Sequence, residues 1–277
     1  MRNSPPLTIL QYVDQLRHLG REERSFICHN LWWCRTQARR CSHVLVTGET
    51  GLEDHWAKIW LALHELLPPS TSVHADGVLL WLDNDAVVRG DPRKLLNQSK
   101  AFAIGTELPV KWAPPINSGV WMLRNSDAGR DVLRTWLRAY PAASWWRDGG
   151  AGGRWRCTSR ATGKKCPWAG VEYEQGAFAQ LRLHEHPDVQ LVTWRKFNNP
   201  LHNRTSVQHF YQYHKLPTRR MIGMKFDKTE RLRSSAAQLM RDEPDAAFDC
   251  ALDPVPLTST AGELGPHPVL GGLHTSV

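Results

Sequence analysis

The sequence contains no apolar run approaching the roughly 20 residues that a membrane-spanning helix requires. Its N-terminus also lacks the apolar region of a secretory signal peptide. We therefore expect either a chain that is soluble as it stands or one that has lost an upstream anchor. Contact with a membrane would then depend on an anchor that is absent from this sequence.

Cysteine is scarce, and its spacings are not those of a metal site. The six cysteines form no C-x-x-C pair, and no paired His or Cys spacing indicates zinc. Cys157 and Cys166 flank a loop rich in Gly and Lys and are candidates for a disulfide, which would require an oxidising compartment. Buried free thiols are an equally good interpretation. Asn97 and Asn203 begin glycosylation sequons, although about one chance match is expected in such a chain.

The sequence also lacks a dense patch of Lys and Arg interleaved with aromatic residues, so a nucleic-acid partner is not expected. The formal net charge of +8 favours an anionic partner, and a nucleotide diphosphate would be suitable. The chain has 13 tryptophans, whose rings fill cores or stack on sugars. The candidates for an acceptor-sugar platform are Trp112, Trp121, Trp145, Trp146 and Trp168.

The first part of the chain alternates between strand and helix patterns. Strands are predicted at 7–13 and 43–48, a helix at 25–37 with Ser25 as a possible N-cap, a helix at 56–67, and a buried strand from residue 78. This order is typical of an α/β fold with a mainly parallel sheet and helices on both faces.

Further elements are predicted after the central strand. The strands are at 101–104, 116–123, 189–192 and 207–211, and the helices at 126–140 and 172–183. Residues 144–170 are rich in Gly and Trp and indicate a long ordered loop or lid. We expect a disordered N-terminus at 1–6, one domain at 7–227, and a basic helix with a disordered tail at 228–277.

Two carboxylates follow the most apolar strand of the chain. Five apolar residues lead directly to Asp83, and one residue separates Asp83 from Asp85. Alternation along a strand would point both side chains the same way, at the carboxyl end of the sheet where α/β folds bind ligands. Two like charges there require a counter-charge, and a divalent cation is the usual one. A strand that merely ends in a polar turn is the alternative.

Five segments recur in a recognisable order: "HWAKIWLALHELL", "LLWLDNDAVV", "INSGVWMLRNSDAGRDVLRTWL", "YEQGAF" and "VQHF". Over roughly residues 7–215 the chain resembles the Golgi GT-A glycosyltransferases, the family of fungal α-galactosyl- and α-mannosyltransferases and plant xyloglucan α-xylosyltransferases. The resemblance implies a GT-A fold, a nucleotide-diphosphate sugar as donor, Mn²⁺ (or Mg²⁺) as cofactor and retention of anomeric configuration.

The resemblance also implies a donor site. Asp85 would bind the metal, Asp83 the metal or the ribose, and His209 would be a further metal ligand. Lys58 and Asn84 would belong to the same donor-binding set, and Lys215 would contact phosphate. Where the family has Gly shortly after this histidine, the sequence has Tyr211 and Gln212, so the chain departs from the family pattern there.

Two more segments match the family. Asn117, Ser118 and Gly119 would bind the sugar, because Gly permits close backbone approach and Asn offers both a donor and an acceptor; a tight turn before a strand is the alternative. Glu174 and Gln175 would be the catalytic pair near the reacting sugar. An acidic residue that stabilises a helix N-terminus is the alternative for Glu174.

The resulting prediction is a retaining, Mn²⁺-dependent transferase in the Golgi lumen, which moves a hexose or pentose from a nucleotide-diphosphate sugar to a glycan or glycoprotein acceptor. One alternative is a phosphatase of the haloacid-dehalogenase type, in which the first Asp of an Asp-x-Asp strand is a nucleophile. Against it, the motif lies far from the N-terminus and no G-D-x-x-x-D follows. The other alternative is a non-catalytic sugar-binding protein on the same fold.

Overall fold

The computed structural model describes residues 4–36, 38, 40–66, 73–107, 115–149, 153–197, 206–209, 236–237, 239–241 and 249–257. The strands are β1 (Leu7–Val13), β2 (Cys41–Thr47), β3 (Val78–Leu82), β4 (Ala86–Val88), β5 (Phe102–Thr106), β6 (Ile116–Arg124), β7 (Trp145–Arg147), β8 (Trp155–Cys157), β9 (Val189–Val192), β10 (Val207–His209) and β11 (Val255–Pro256). The α-helices are α1 (Arg21–Thr36), α2 (Asp54–Glu65), α3 (Asp127–Arg138), α4 (Glu174–Gln180) and α5 (Trp194–Phe197).

Seven strands form the central sheet, in the order β11-β2-β1-β3-β6-β5-β9. The pairings are parallel except on the two sides of β6, which runs antiparallel to both β3 and β5. All five residues of β3 are buried, as expected for a central strand without an alternating pattern. The predicted mainly parallel α/β sheet is therefore confirmed.

The two faces of the sheet carry separate cores, because successive side chains of a strand point to opposite sides. On one face, Leu79 and Trp81 of β3 pack with aromatic residues of α2, α3 and α4. On the other face, Leu80 and Leu82 pack with Trp33 of α1 and with α5 and β10. The prediction of helices on both faces is thus confirmed.

Helix α1 begins four residues earlier than the sequence pattern predicts. Ser25 is not the N-cap: it lies inside the helix, where its hydroxyl donates to the carbonyl of Arg21 at 3.1 Å. Glu22 and Glu23 occupy the first turn, where carboxylates are favoured by the helix dipole. The predicted start of α3 is confirmed, since Ser126 caps it by accepting from the amide of Gly129 at 3.2 Å.

All six cysteines are paired, which decides between the two interpretations left open above. The disulfides are Cys28–Cys250, Cys34–Cys41 and Cys157–Cys166. The last one closes a loop beside an antiparallel hairpin of β7 and β8, so part of the predicted loop at 144–170 is regular structure.

Two segments predicted to be disordered are in part ordered. Residues 249–257 are held by the Cys28–Cys250 disulfide and by β11, which adds a parallel strand beside β2. At the other end, the carbonyl of Pro6 accepts from the amide of Val78 at 2.8 Å. Long-range pairing holds both segments, and composition alone does not reveal it. Of the predicted basic helix, residues 236–237 and 239–241 are helical.

Within the residues described, no helix combines the length and apolarity needed to cross a bilayer.

Trp136 connects the core to α4. It is fully buried, and its indole N–H donates to the carbonyl of Glu174 at 2.7 Å. We expect Trp136→Phe to lower the free energy of unfolding by about 2 kcal/mol, from the lost hydrogen bond and the void left by the smaller ring. The half-exposed Trp146 is the matched control: Trp146→Phe should change stability by less than about 0.5 kcal/mol. Urea unfolding measures both, and equal values would contradict this role for Trp136.

Candidate active site

Asp83 and Asp85 lie in the turn that joins β3 to β4, and not on a strand. The prediction that alternation along a strand points both carboxylates the same way is therefore wrong, because a turn positions them instead. The turn is closed by a hydrogen bond from the amide of Ala86 to the carbonyl of Asp83 at 3.0 Å. The amide of Asp83 donates to the carbonyl of Gly119 at 2.8 Å, which fixes the turn against β6. The turn thus holds both carboxylates at the carboxyl end of the central strand.

His209 reaches this turn through β10. This strand pairs antiparallel with β4 and places His209 opposite Ala86. The Nε2 atom of His209 lies 3.1 Å from Oδ1 of Asp85. Burial alone would lower the pKa of His209, but the carboxylates of Asp85 and Asp83 outweigh burial and raise it.

Asp83, Asp85 and His209 fit a divalent metal ion. Their candidate ligand atoms all lie within 4.8 Å of one another. Two carboxylates and one imidazole form a donor set that suits Mn²⁺ or a similar first-row cation. Because the cluster is partly open, further coordination positions remain for a ligand. Among the residues described, this is the one cluster of its kind.

Gly119 makes room for the cluster. A Cβ atom at this position would lie 2.1 Å from Cε1 of His209 and 2.9 Å from Oδ2 of Asp83. Such distances are far below van der Waals contact, so the ring and the carboxylate occupy the volume of the missing side chain. The requirement for Gly here is steric, and it supports the sequence-based assignment of this position to the site.

Lys58 links the turn to α4. Its buried ammonium lies 3.0 Å from Oδ1 of Asp83 and 3.4 Å from Oε1 of Glu174. Burial alone would lower the pKa of Lys58, but the two carboxylates outweigh burial and raise it, so the ammonium is charged. A charge buried in this way is stable only when it is paired. Lys58 therefore fixes the orientation of Asp83.

Glu174 is the most enclosed acid of the site, with 2% of its surface exposed. Its Oε1 accepts from the hydroxyl of Ser118 at 2.6 Å. Burial alone would raise the pKa of Glu174, but Lys58, His55 and Ser118 outweigh it and lower the pKa, so the group is ionised. The neighbouring Gln175 accepts weakly through Oε1 from the hydroxyl and amide of Ser118, at 3.3 and 3.4 Å.

The two asparagines of the predicted site are held by backbone and side-chain contacts. Asn117 donates to Oε2 of Glu107 at 2.8 Å and accepts from the amide of Gly119 at 2.9 Å. Asn84 donates to the carbonyl of Tyr12 at 2.9 Å, and its Oδ1 has no hydrogen-bond partner among the described residues. Both side chains therefore stabilise the structure around Asp83, Asp85 and His209.

Sequence reasoning missed one residue that contacts the cluster. Trp81 donates from its indole N–H to Oδ1 of Asp83 at 2.9 Å. Its place two residues before Asp83 was the signal that could have found it. Lys215, Tyr211 and Gln212 lie outside the described residues, so the predictions about them stay predictions.

The five candidate platform tryptophans divide by exposure. Trp121 and Trp145 are buried and belong to cores, whereas Trp146 and Trp168 are exposed. Trp112 lies outside the described residues. Two of the five tryptophans therefore remain candidates for contact with a ligand.

Comparisons with known proteins identify the fold. No family model and no curated protein matches the sequence. Among solved structures, the chain is similar to a glycosyltransferase involved in glycosylation of the major capsid of PBCV-1, with a TM-score of 0.52 and 16% identity over 84% of this chain and 100% of that one. This similarity confirms the predicted GT-A fold, whereas membership of the Golgi family stays a prediction.

Two further similarities are weaker. Mouse xyloside xylosyltransferase 1 has a TM-score of 0.39 and 11% identity over 69% of this chain and 85% of its own. The galactosyltransferase LgtC, in complex with donor and acceptor sugar analogs, has a TM-score of 0.39 and 12% identity over 85% of this chain and 99% of its own.

Gly119→Ala tests the steric argument. The added methyl group must displace the ring of His209 and the carboxylate of Asp83, so we expect Mn²⁺ affinity to fall by at least about tenfold. Titration of the protein with Mn²⁺, followed by the electron paramagnetic resonance of the free ion, measures this directly. Gly90→Ala is the control, because a Cβ there meets its nearest atom at an ordinary 3.9 Å. An unchanged Mn²⁺ affinity in Gly119→Ala would refute the assignment of the metal site to the side chains packed against Gly119.

Proposed function

We propose that this protein is a metal-dependent glycosyltransferase that moves a sugar from a nucleotide-diphosphate donor to a glycan or glycoprotein acceptor. The observation that carries the proposal is the cluster of Asp83, Asp85 and His209, fitted against Gly119 at the carboxyl end of β3. Ligands of open α/β sheets bind at this end of the strands. The GT-A fold is consistent with the same reaction but does not by itself prove it.

Asp83, Asp85 and His209 would hold Mn²⁺, or Mg²⁺ in its place. A bound divalent cation would neutralise the negative charge that builds on the diphosphate as the sugar leaves. The protein's own contribution is to fix the ligands: Lys58 and Trp81 hold Asp83, and the pairing of β10 with β4 holds His209 beside Asp85. A site arranged before the donor arrives loses little energy to reorganisation.

The sugar would lie near Asn117, Ser118, Glu174 and Gln175. Glu174 is buried and bonded to Ser118 and Lys58, which favours a role in orienting these groups over direct attack on the sugar. Attack by the acceptor hydroxyl on the face from which the diphosphate leaves needs no protein nucleophile, and the departing diphosphate would accept the hydroxyl proton. We therefore propose retention of configuration without a covalent intermediate, with the carbonyl oxygen of Gln175 stabilising the positively charged sugar.

We further propose that the protein works in the Golgi lumen. Its three disulfides are consistent with an oxidising compartment. The sequon at Asn97 lies in an exposed segment, where a glycosyl chain can be attached. Immunolocalisation of the full chain tests the proposal: staining that coincides with a Golgi marker would support it, and staining elsewhere would contradict it.

The geometry argues against the phosphatase alternative. In that chemistry Asp83 would attack phosphorus, but its Oδ1 already accepts hydrogen bonds from Lys58 and Trp81. A carboxylate oxygen that accepts two hydrogen bonds is a weaker nucleophile, because its lone pairs are already engaged. A transferase would hydrolyse a nucleotide sugar with Mn²⁺ and would not cleave aryl phosphates with Mg²⁺. A non-catalytic sugar-binding protein would hydrolyse neither substrate.

Asp85→Ala tests the metal assignment. Removing one of two carboxylate ligands should weaken Mn²⁺ binding and lower kcat/KM for transfer by about 100-fold or more. Nucleotide affinity should fall mainly when Mn²⁺ is present, because the cation links the protein to the diphosphate. Asp76→Ala removes an exposed acid in the turn before β3 and is the matched control. Wild-type, metal-dependent turnover in Asp85→Ala would refute the metal site.

The stereochemical prediction is an α-linked product from an α-linked donor. Gln175→Ala should slow transfer by about 100-fold without abolishing it, and Glu174→Gln should have a larger effect because it also removes the charge that pairs with Lys58. Nuclear magnetic resonance of the product assigns the anomer, and thermal melting identifies any loss of fold. A β-linked product would overturn retention, and a sugar trapped on Glu174 would overturn front-face attack.

A further inference from the structure

The hairpin of β7 and β8 carries a groove that the proposed donor site does not use. The groove has a volume of about 330 Å³, and its lining includes Trp145, Trp146, Trp155, Arg156, Lys165 and Tyr173. Its walls are stiffened by the Cys157–Cys166 disulfide and by the indole N–H of Trp145, which donates to the carbonyl of Glu172 at 2.9 Å. Four aromatic side chains therefore line a recess whose walls are held by a disulfide and a buried hydrogen bond.

One of these rings is open to solvent. Trp146 is 52% exposed at the groove. Trp146 lies on the hairpin beside the disulfide-closed loop, and the flat face of an exposed indole suits the apolar face of a sugar ring. The groove thus has a platform for a carbohydrate.

The hairpin and its loop also carry a concentrated positive charge. Between 149 and 171 there are five basic residues and no acidic one. All five are exposed: Arg154, Arg156, Arg160, Lys164 and Lys165. Arg156 is paired with Asp148 at 2.7 Å, so the segment keeps a large excess of positive charge after this pair is formed. The expectation that the chain has no basic patch interleaved with aromatic residues is wrong for this hairpin.

The groove lies next to the proposed catalytic residues along the chain. Tyr173 lines it, and the following residue is Glu174, which contacts Ser118 and Lys58. Tyr173 also packs edge-on against Trp145, with ring centroids 5.1 Å apart. The groove therefore borders the segment that carries the proposed catalytic pair.

We propose that this groove is an acceptor subsite that binds a negatively charged glycan, one carrying uronate or sulfate groups. The aromatic platform would stack on a sugar ring, while Lys165 would contact its acidic groups. The volume is at the small end for ligand pockets and suits one or two sugar units. A single-stranded nucleic acid would need a basic groove that tracks about four or more nucleotides. The acceptor role rests on the proposed transferase function; the binding of acidic glycan does not.

The test is binding of the full chain to an array of immobilised neutral, uronate-containing and sulfated oligosaccharides. We expect retention on acidic glycans, reduced by salt because the contacts of exposed charges are screened. Trp146→Ala and Lys165→Glu should each weaken binding by about tenfold at low salt. Leu191→Ala and Lys94→Glu change an exposed apolar side chain and an exposed cation elsewhere, and they should bind as the wild type does.

Three results would overturn the proposal: retention on neutral glycans alone, equal loss in the control variants, or tighter binding to a single-stranded oligonucleotide than to any glycan. Hydrolysis of the donor by the wild-type chain is measured in parallel. A chain that binds acidic glycans but hydrolyses no nucleotide sugar supports the groove and contradicts the transferase. A chain that hydrolyses the donor but binds no acidic glycan contradicts the groove alone.

Discussion

The candidate site depends on the two ion pairs that the buried ammonium of Lys58 makes with carboxylates. It joins Asp83, in the turn after the central strand, to Glu174, at the start of α4. Helix α2, the β3–β4 turn and α4 are far apart in sequence, and a single charge fixes their polar ends together. Because 97% of the surface of Lys58 is inaccessible, losing either partner would leave an uncompensated charge in the interior.

A second constraint is spatial. The ring of His209 and the carboxylate of Asp83 fill the volume above Gly119, so the cluster exists only because β6 has no side chain there. The antiparallel placement of β6 beside β3 is what brings Gly119 under the turn. The strand that departs from the parallel pattern is thus the one that forms the floor of the site. The carboxylate of Asp83 is therefore fixed both by its ion pair with Lys58 and by its packing against Gly119.

The aromatic residues connect these constraints to the rest of the molecule. Indole N–H groups of Trp56 and Trp145 both donate to the carbonyl of Glu172, and that of Trp136 donates to the carbonyl of Glu174. The start of α4 is therefore held by three rings from three elements. This arrangement explains why many of the 13 tryptophans lie in cores, while the hairpin displays an exposed one beside cations. The same segment that supports Glu174 also forms one wall of the groove.

Local sequence patterns predicted the α/β class, the central strand and the residue types of the site, because burial directly imposes apolar runs and helical stripes on a sequence. The sequence also indicated Lys58, Gly119 and His209 through their resemblance to a known family. The folded chain was needed to show that Asp83 and Asp85 meet in a turn, beside a histidine 124 positions away from Asp85. The fold also shows that Cys28 pairs with Cys250, 222 positions away, which places residues 249–257 beside the sheet. The reason is physical: strand register and long-range pairing depend on the whole packed core, and no local pattern encodes which distant segments it brings together.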